Sequence, residues 1–178
     1  MTSPTTDQTL LYEELVRSMF DSGSSKPISN GKPEHAIVLF KIFFERARSR
    51  VVIFCQNLND AVFGSPGILA AAQAAVLRGV SIQVIAQEKE VKESAFKRWL
   101  ESESKNNNLV SFLKCPNSAT CSHIGANFAV MDSKAFRFEP DRKAILAVAY
   151  ANEPKQASEL TRVFELLKNS LLPQKIST

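Results

Sequence analysis

No apolar run in the chain approaches the roughly 20 residues that a membrane-crossing helix requires, so no membrane span is expected. The opening residues, MTSPTTDQTL, contain neither the basic cluster nor the apolar stretch of a secretory leader, and a reducing, cytoplasmic compartment is the expectation. Cysteine is scarce and odd in number, with Cys55, Cys115 and Cys121 alone. An odd set of three does not suggest a disulfide framework, and Cys55, inside the run VVIFCQ, reads as a small buried core residue. Histidine is rarer still, at two. No P-loop, dinucleotide fingerprint, serine-hydrolase elbow or zinc-protease helix occurs, so none of those chemistries is expected. No internal repeat is visible.

What is present fits an ordinary globular chain. Its 178 residues, 44% hydrophobic and 22% charged, support one domain with a sizeable core. The surplus of lysine and arginine gives a net charge of +4. That balance permits an anionic partner without requiring one.

Helical periodicity appears first at Leu11, Tyr12, Leu15, Val16, Met19 and Phe20, with Asp7 or Thr9 available as a cap. DSGSSKPISNGKP then reads as a linker, because it is rich in Ser, Gly and Pro and offers little to bury. Residues 1–32 are thus expected to form an N-terminal helical arm with its linker, and residues 33–178 the body. In the body, a helix from Pro33 carries Ile37, Phe40, Phe44 and Ala47 on one side. It leads to VVIFCQ, a nearly continuous apolar run of the kind buried in parallel sheets. A helix capped by Ser65 and ended by Gly79 follows, then the strand SIQVIAQ, the helix VKESAFKRWLESES and the strand LVSFLK. Such alternation implies parallel strands joined by right-handed crossovers, with helices on both faces. The rhythm then changes to three closely spaced strands, NFAVMD, AFRFE and AILAVAY, and a closing amphipathic helix, PKQASELTRVFELLKNSLL.

Four stretches in this order carry a family likeness. ILAAAQAAVLRGVSIQVIAQE resembles the phospholipase D superfamily signature, in which a helix ending in RGV feeds a strand of V-x-V-I pattern. FFERARSRVVIFCQNL resembles the helix and strand before it, NFAVMDSKAFRFE the hairpin carrying the catalytic motif, and AVAYANEPKQASELTRVFELL the closing strand and helix. The likeness spans Pro33 to Leu172, one half-unit of the two-lobed enzymes and the size of the single-motif nucleases that pair two chains into one site. It implies an α/β fold, a phospholipase D-like mixed β-sheet flanked by helices, here with the N-terminal helical arm added.

Active members of that superfamily use His-x-Lys, four residues, then Asp. The histidine attacks a phosphodiester, the lysine holds the phosphate and the aspartate supports the geometry. Asp132 stands at the family aspartate's place, opening a DSK turn. Seven residues earlier is Gly125, and five earlier is Asn127, so the nucleophile and the cation are both missing. His123 lies two residues upstream, a shift of about 6–7 Å if it continues the strand, well outside the tolerance of in-line attack. Only a bulge, which Gly125 could supply, or a local change of alignment would restore it.

The preferred reading is therefore a catalytically degenerate, homodimeric binding or regulatory module without hydrolytic residues or a cofactor. Asn127, Asp132, Arg137 and Glu139 are its candidate ligand-binding residues. Arg137 and Glu139 alternate with Phe136 and Phe138, so they face away from the phenylalanines and either line the former cleft or form a structural surface pair. Asp132 is either a relic of the site or a turn residue accepting backbone N–H groups. Nucleic acid or a phosphate-bearing ligand is the first partner class, and another protein is the second. Two alternatives remain open: a phosphodiesterase or nuclease using His123 and Asp132 across a dimer, and a scaffold subunit whose cleft is filled by side chains. No metal site is expected, because Cys115, Cys121 and His123 lack both the usual zinc spacing and a fourth ligand.

Overall fold

The computed structural model of the chain describes residues 4–87, 93–116, 118–141 and 146–172. Strand β2 (Arg50–Cys55) is buried on both faces, as its apolar, β-branched composition requires. It lies beside β3 (Ser81–Ala86), which lies beside β4 (Val110–Lys114), all parallel. The connections run through α4 (Pro66–Leu77) and α5 (Ala95–Asn106). Pro66 opens α4 and Gly79, at φ +87°, ends the turn after it.

On its other side β2 pairs antiparallel with β5 (Asn127–Met131), followed by β6 (Ala135–Asp141) and β7 (Leu146–Tyr150), also antiparallel. Among the described residues the sheet has seven strands in the order β1-β7-β6-β5-β2-β3-β4. The parallel half and the closely spaced antiparallel half both match the sequence reading. Residues 91–92 of the helix expected there, and 144–145 of the last strand, lie outside the described residues.

Strand β1 (Pro27–Asn30) is a difference. It pairs antiparallel with β7 and sits inside the stretch expected to be a linker, with Ile28 and Asn30 buried. Four residues with one apolar side chain give almost no periodic signal, yet an edge position in a sheet needs no more.

Because β2, β3 and β4 advance in one direction, right-handed crossovers place α4 and α5 on the same face of the sheet. That face also receives α2 (Pro33–Arg46) and α1 (Pro4–Asp21), and its core holds Phe43, Phe44, Ile53, Ile82 and Phe96. The opposite face is covered by α6 (Pro154–Leu171), whose Phe164 and Leu167 meet Val52, Phe54, Phe128 and Phe136. Helices do cover both faces, but the second cover comes from the closing helix and not from the crossovers.

Helix α1 docks through Val16, with Tyr12, Met19 and Phe20 packed on the core, and not through Leu11 and Leu15. Those two are 65% and 54% exposed. Arg17 joins Glu13 and Glu45 at 2.6 and 2.8 Å, and Arg46 joins Asp21 at 2.6 Å. Partly solvated pairs of this kind contribute little to stability but fix which face turns inward.

The cysteines are the second difference. Cys115 and Cys121 are joined in a disulfide that closes a short loop around the 3₁₀ turn Thr120–His123. Only Cys55 is free, as its apolar surroundings suggest, and burial pushes its thiol up to about 12. Counting cysteines could not reveal the bridge, because the odd one out is a core residue. A disulfide is also a feature that the default of a reducing compartment does not predict. Closing a loop with a sequence separation of 6 restrains the unfolded chain by about 2 kcal/mol. The double change Cys115→Ser, Cys121→Ser is expected to lower the unfolding free energy by about that amount. Reductant should reproduce the loss in the unaltered protein and leave the double variant unchanged, as read from urea midpoints. Equal midpoints with and without reductant would contradict a stabilising bridge.

Candidate functional site

The two faces of the sheet differ in polarity at one end. Phe136 and Phe138 turn into the core under α6, so Arg137 and Glu139 project onto the face covered by α1 and α2. Asn127 stands directly opposite Glu139 in the β5–β6 register, and Arg137 lies between Ala129 of β5 and Ala149 of β7. Two alanines flanking an arginine leave depth for its guanidinium. The pair is not a surface pair: the side chains of Arg137 and Glu139 are 12% and 14% exposed.

Every member of the group is tied to its neighbours. Arg137 donates from Nη1 to Glu139 Oε2 at 3.2 Å and from Nε to Asn30 Oδ1 at 2.8 Å. Asn127 donates from Nδ2 to the same Glu139 oxygen at 3.1 Å and accepts the Gln56 backbone N–H at 2.8 Å. Asn30, itself buried, donates to the Tyr12 hydroxyl at 3.2 Å, and that hydroxyl donates to the Ser29 carbonyl at 3.1 Å. The chain runs without a break from α1 through β1, β6 and β5 to the end of β2. Burial pulls the Arg137 guanidinium below its ordinary value, and the charge and hydrogen bond of Glu139 oppose that pull. Burial raises the Tyr12 hydroxyl, with Asn30 and the positive charge of Arg137 acting the other way.

Asn30, Asn127, Arg137 and Glu139 form the floor of an open cleft of about 380 Å³. One wall is the start of α2, with Ala36 and Phe40; another is Val62 and Phe63 of a short helical turn, Asp60–Phe63. Phe40 and Phe63 meet with ring centroids 4.7 Å apart. Gln56, Asn57 and Asn59, in the segment leaving β2, supply amides, and Lys32 stands exposed at the rim. Ligands of α/β sheets commonly sit beyond the carboxyl ends of parallel strands, and this cleft lies at that end of β2. Sequence reasoning found Asn127, Arg137 and Glu139 and missed Asn30, Lys32 and the amide run. The signal was present in QNLN directly after VVIFC, and in Asn30 two residues after Ile28 on a strand.

Asp132 does not line the cleft. It sits at the far end of β5, five residues from Asn127, or about 17 Å along a strand. Its carboxylate accepts the backbone N–H groups of Arg48, Ser49 and Arg50 at 2.8 to 2.9 Å, and the Ser49 hydroxyl. With Ser133 it takes left-handed backbone angles, φ +52° and +51°, at the tip of the β5–β6 hairpin. This is the turn-residue reading, extended by a clamp on the start of β2.

His123 also stands outside the cleft. It ends the 3₁₀ turn stapled by the disulfide, it is exposed, and β5 begins only at Asn127. Gly125 lies before the first residue of β5, so it forms no bulge within the strand that would carry His123 onto it. Gln87 holds the segment by donating to the Cys121 and Ile124 carbonyls at 2.6 and 2.7 Å. Cys115 and Cys121, bonded to each other, offer no thiolate to a metal.

No protein-family model matches the chain, and no curated protein matches it in sequence. Solved structures do match it. The phospholipase D family member Nuc from Salmonella typhimurium superposes with a TM-score of 0.57 at 17% identity, over 82% of this chain and 96% of that one. NucT from Helicobacter pylori gives 0.56 at 12% identity, over 83% and 98%. TrmBL2, an archaeal chromatin protein described with a novel mode of DNA binding, gives 0.60 at 11% identity, over 93% of this chain and 62% of that one. At these identities the likeness is one of fold, and the fold is phospholipase D-like.

Burial tends to raise the Asp132 carboxyl, but the N–H groups of Arg50, Arg48 and Ser49 and the Ser49 hydroxyl outweigh it and hold the group below the ordinary carboxylate range. A carboxyl depressed in the folded state contributes stability above its unfolded value of about 3.9 and loses it as pH falls through the folded value. Asp132→Asn keeps a residue that tolerates the left-handed turn and removes the charge. It is expected to destabilise the protein by about 1 kcal/mol at pH 7, below the usual range for charged hydrogen bonds because solvent screens the group. The gap from the unaltered protein should close as pH is lowered below 3.9. Urea unfolding at a series of pH values reads both effects, and a gap independent of pH would contradict the clamp.

Proposed function

We propose that this chain is a catalytically degenerate phospholipase D-like binding module that holds a nucleic acid or other phosphate-bearing ligand in the cleft at Asn127, Arg137 and Glu139. One observation carries the reading. Where active members place the attacking imidazole and its cationic helper, this chain has an exposed glycine and an asparagine whose amide is held between the Gln56 N–H and Glu139. Phosphoryl transfer by the superfamily route needs both groups. The cleft beside them is nevertheless open, which favours retained binding over a scaffold with a filled site.

The ligand class draws on three supports: the surplus of basic residues, Lys32 at the rim, and the DNA binding described for TrmBL2, a protein of this fold. Homodimerisation belongs to the same reading, supported by Leu10, Leu11 and Leu15 standing exposed on α1. Regulation, by capturing a ligand without consuming it, is the role such a module serves.

Binding of DNA, RNA and nucleotides across a salt series tests this directly. The expectation is measurable affinity at low salt that falls as salt rises, with no turnover of a generic phosphodiester. Turnover abolished by His123→Ala would replace the reading with the enzymatic one, and silence toward every ligand at low salt would remove it. Sedimentation equilibrium checks the oligomer: a dimer is expected, and a monomer mass at all concentrations contradicts it.

A further inference from the structure

The cleft floor is unsuited to the group that the superfamily binds there. Arg137 is its cation, but two sides of the guanidinium fork are already committed, to Asn30 and to Glu139. A phosphate seated on the floor would meet the Glu139 carboxylate within a few ångströms of the arginine, and the two anions would repel. Paired charges and amides instead offer donors and acceptors side by side with no net charge. Asn, Gln, Arg and Glu are the side chains that read the edges of nucleobases. Beside them Phe40 and Phe63, buried and packed against each other, line the cleft, and aromatic side chains take the flat face of a base. The volume, about 380 Å³, is at the lower end for small-molecule sites and suits one nucleoside rather than a length of polymer. Lys32, exposed at the rim, is placed to meet an anion outside the floor.

We propose that the cleft recognises a single nucleobase, its edge on the Asn127–Glu139–Arg137 floor and its face against Phe40 and Phe63, with any attached phosphate left at the rim near Lys32. This rests on the binding-module reading and names the part of the ligand that enters. The base comes either from a free mononucleotide or from one residue of a single strand.

Calorimetry and thermal shift on the full chain distinguish the possibilities, using the four common ribonucleosides, their 5′-monophosphates, a short single-stranded oligonucleotide, ribose 5-phosphate and inorganic phosphate. At least one nucleoside is expected to bind, its monophosphate several-fold more tightly, and ribose 5-phosphate and inorganic phosphate not at all. Oligonucleotide binding that matches or exceeds the monophosphate assigns the source as a strand; binding of the monophosphate alone assigns it as a free nucleotide. Lys32→Ala, a change at an exposed position, should erase the advantage of the monophosphate and leave the nucleoside affinity unchanged. Glu139→Gln should weaken the nucleoside at least tenfold and make inorganic phosphate bind, because the arginine is no longer neutralised. Inorganic phosphate or ribose 5-phosphate binding as tightly as any nucleotide, with nucleosides silent, overturns the base assignment and leaves the module intact. No binding by any of the set overturns both.

Discussion

Burying an arginine beside a glutamate is unfavourable unless every remaining donor and acceptor finds a partner. The contact between Arg137 and Glu139 sets that condition here, and much of the surrounding structure meets it. Asn30 takes one guanidinium donor, Asn127 shares the glutamate, Tyr12 closes the chain on α1, and the alanines at 129 and 149 leave the space. Half-satisfied polar networks are worse than apolar cores. The pairing of β1 along the outer edge of β7 serves this need: without β1, Asn30 would not reach Arg137, and without α1 the Asn30 amide would lose the tyrosine hydroxyl. The N-terminal segment is thereby part of the cleft's construction.

The same contact separates this cleft from a phosphoryl-transfer site of the family pattern. A transferase floor concentrates positive charge and presents a free imidazole. This floor pairs its arginine with Glu139, and Glu139 with the Asn127 amide. On the proposed reading, such a floor offers hydrogen bonds and not electrophilic power. Asp132 has a structural task of its own. It clamps the start of β2 about 17 Å from the cleft, and that task is independent of whether any chemistry occurs at the other end of the strand.

The architecture was legible where the chain follows simple periodicity. The continuous apolar strands around Val51–Cys55 and Ile82–Ala86, the helix ending before Gly79, and the alternation Phe136-Arg137-Phe138-Glu139 each specify one arrangement. Reading failed where the deciding information was tertiary. Alternation tells which face Arg137 and Glu139 occupy, but not that α1 and α2 cover that face and bury them. The apolar residues of α1 form two overlapping stripes, and only packing on α2 selects Val16 over Leu11 and Leu15. A four-residue edge strand hid in a Ser- and Gly-rich segment because one isoleucine makes no pattern. The disulfide depends on Cys115 and Cys121 being brought together at the two ends of a loop, which no count of cysteines encodes.

A crystal structure of the protein with a bound nucleoside monophosphate tests the central claim most directly. The account predicts the base on the Arg137–Glu139 floor against Phe40 and Phe63, the phosphate outside near Lys32, and His123 far from the phosphorus. A phosphate seated on the floor with the imidazoles of two subunits closing on it would contradict it.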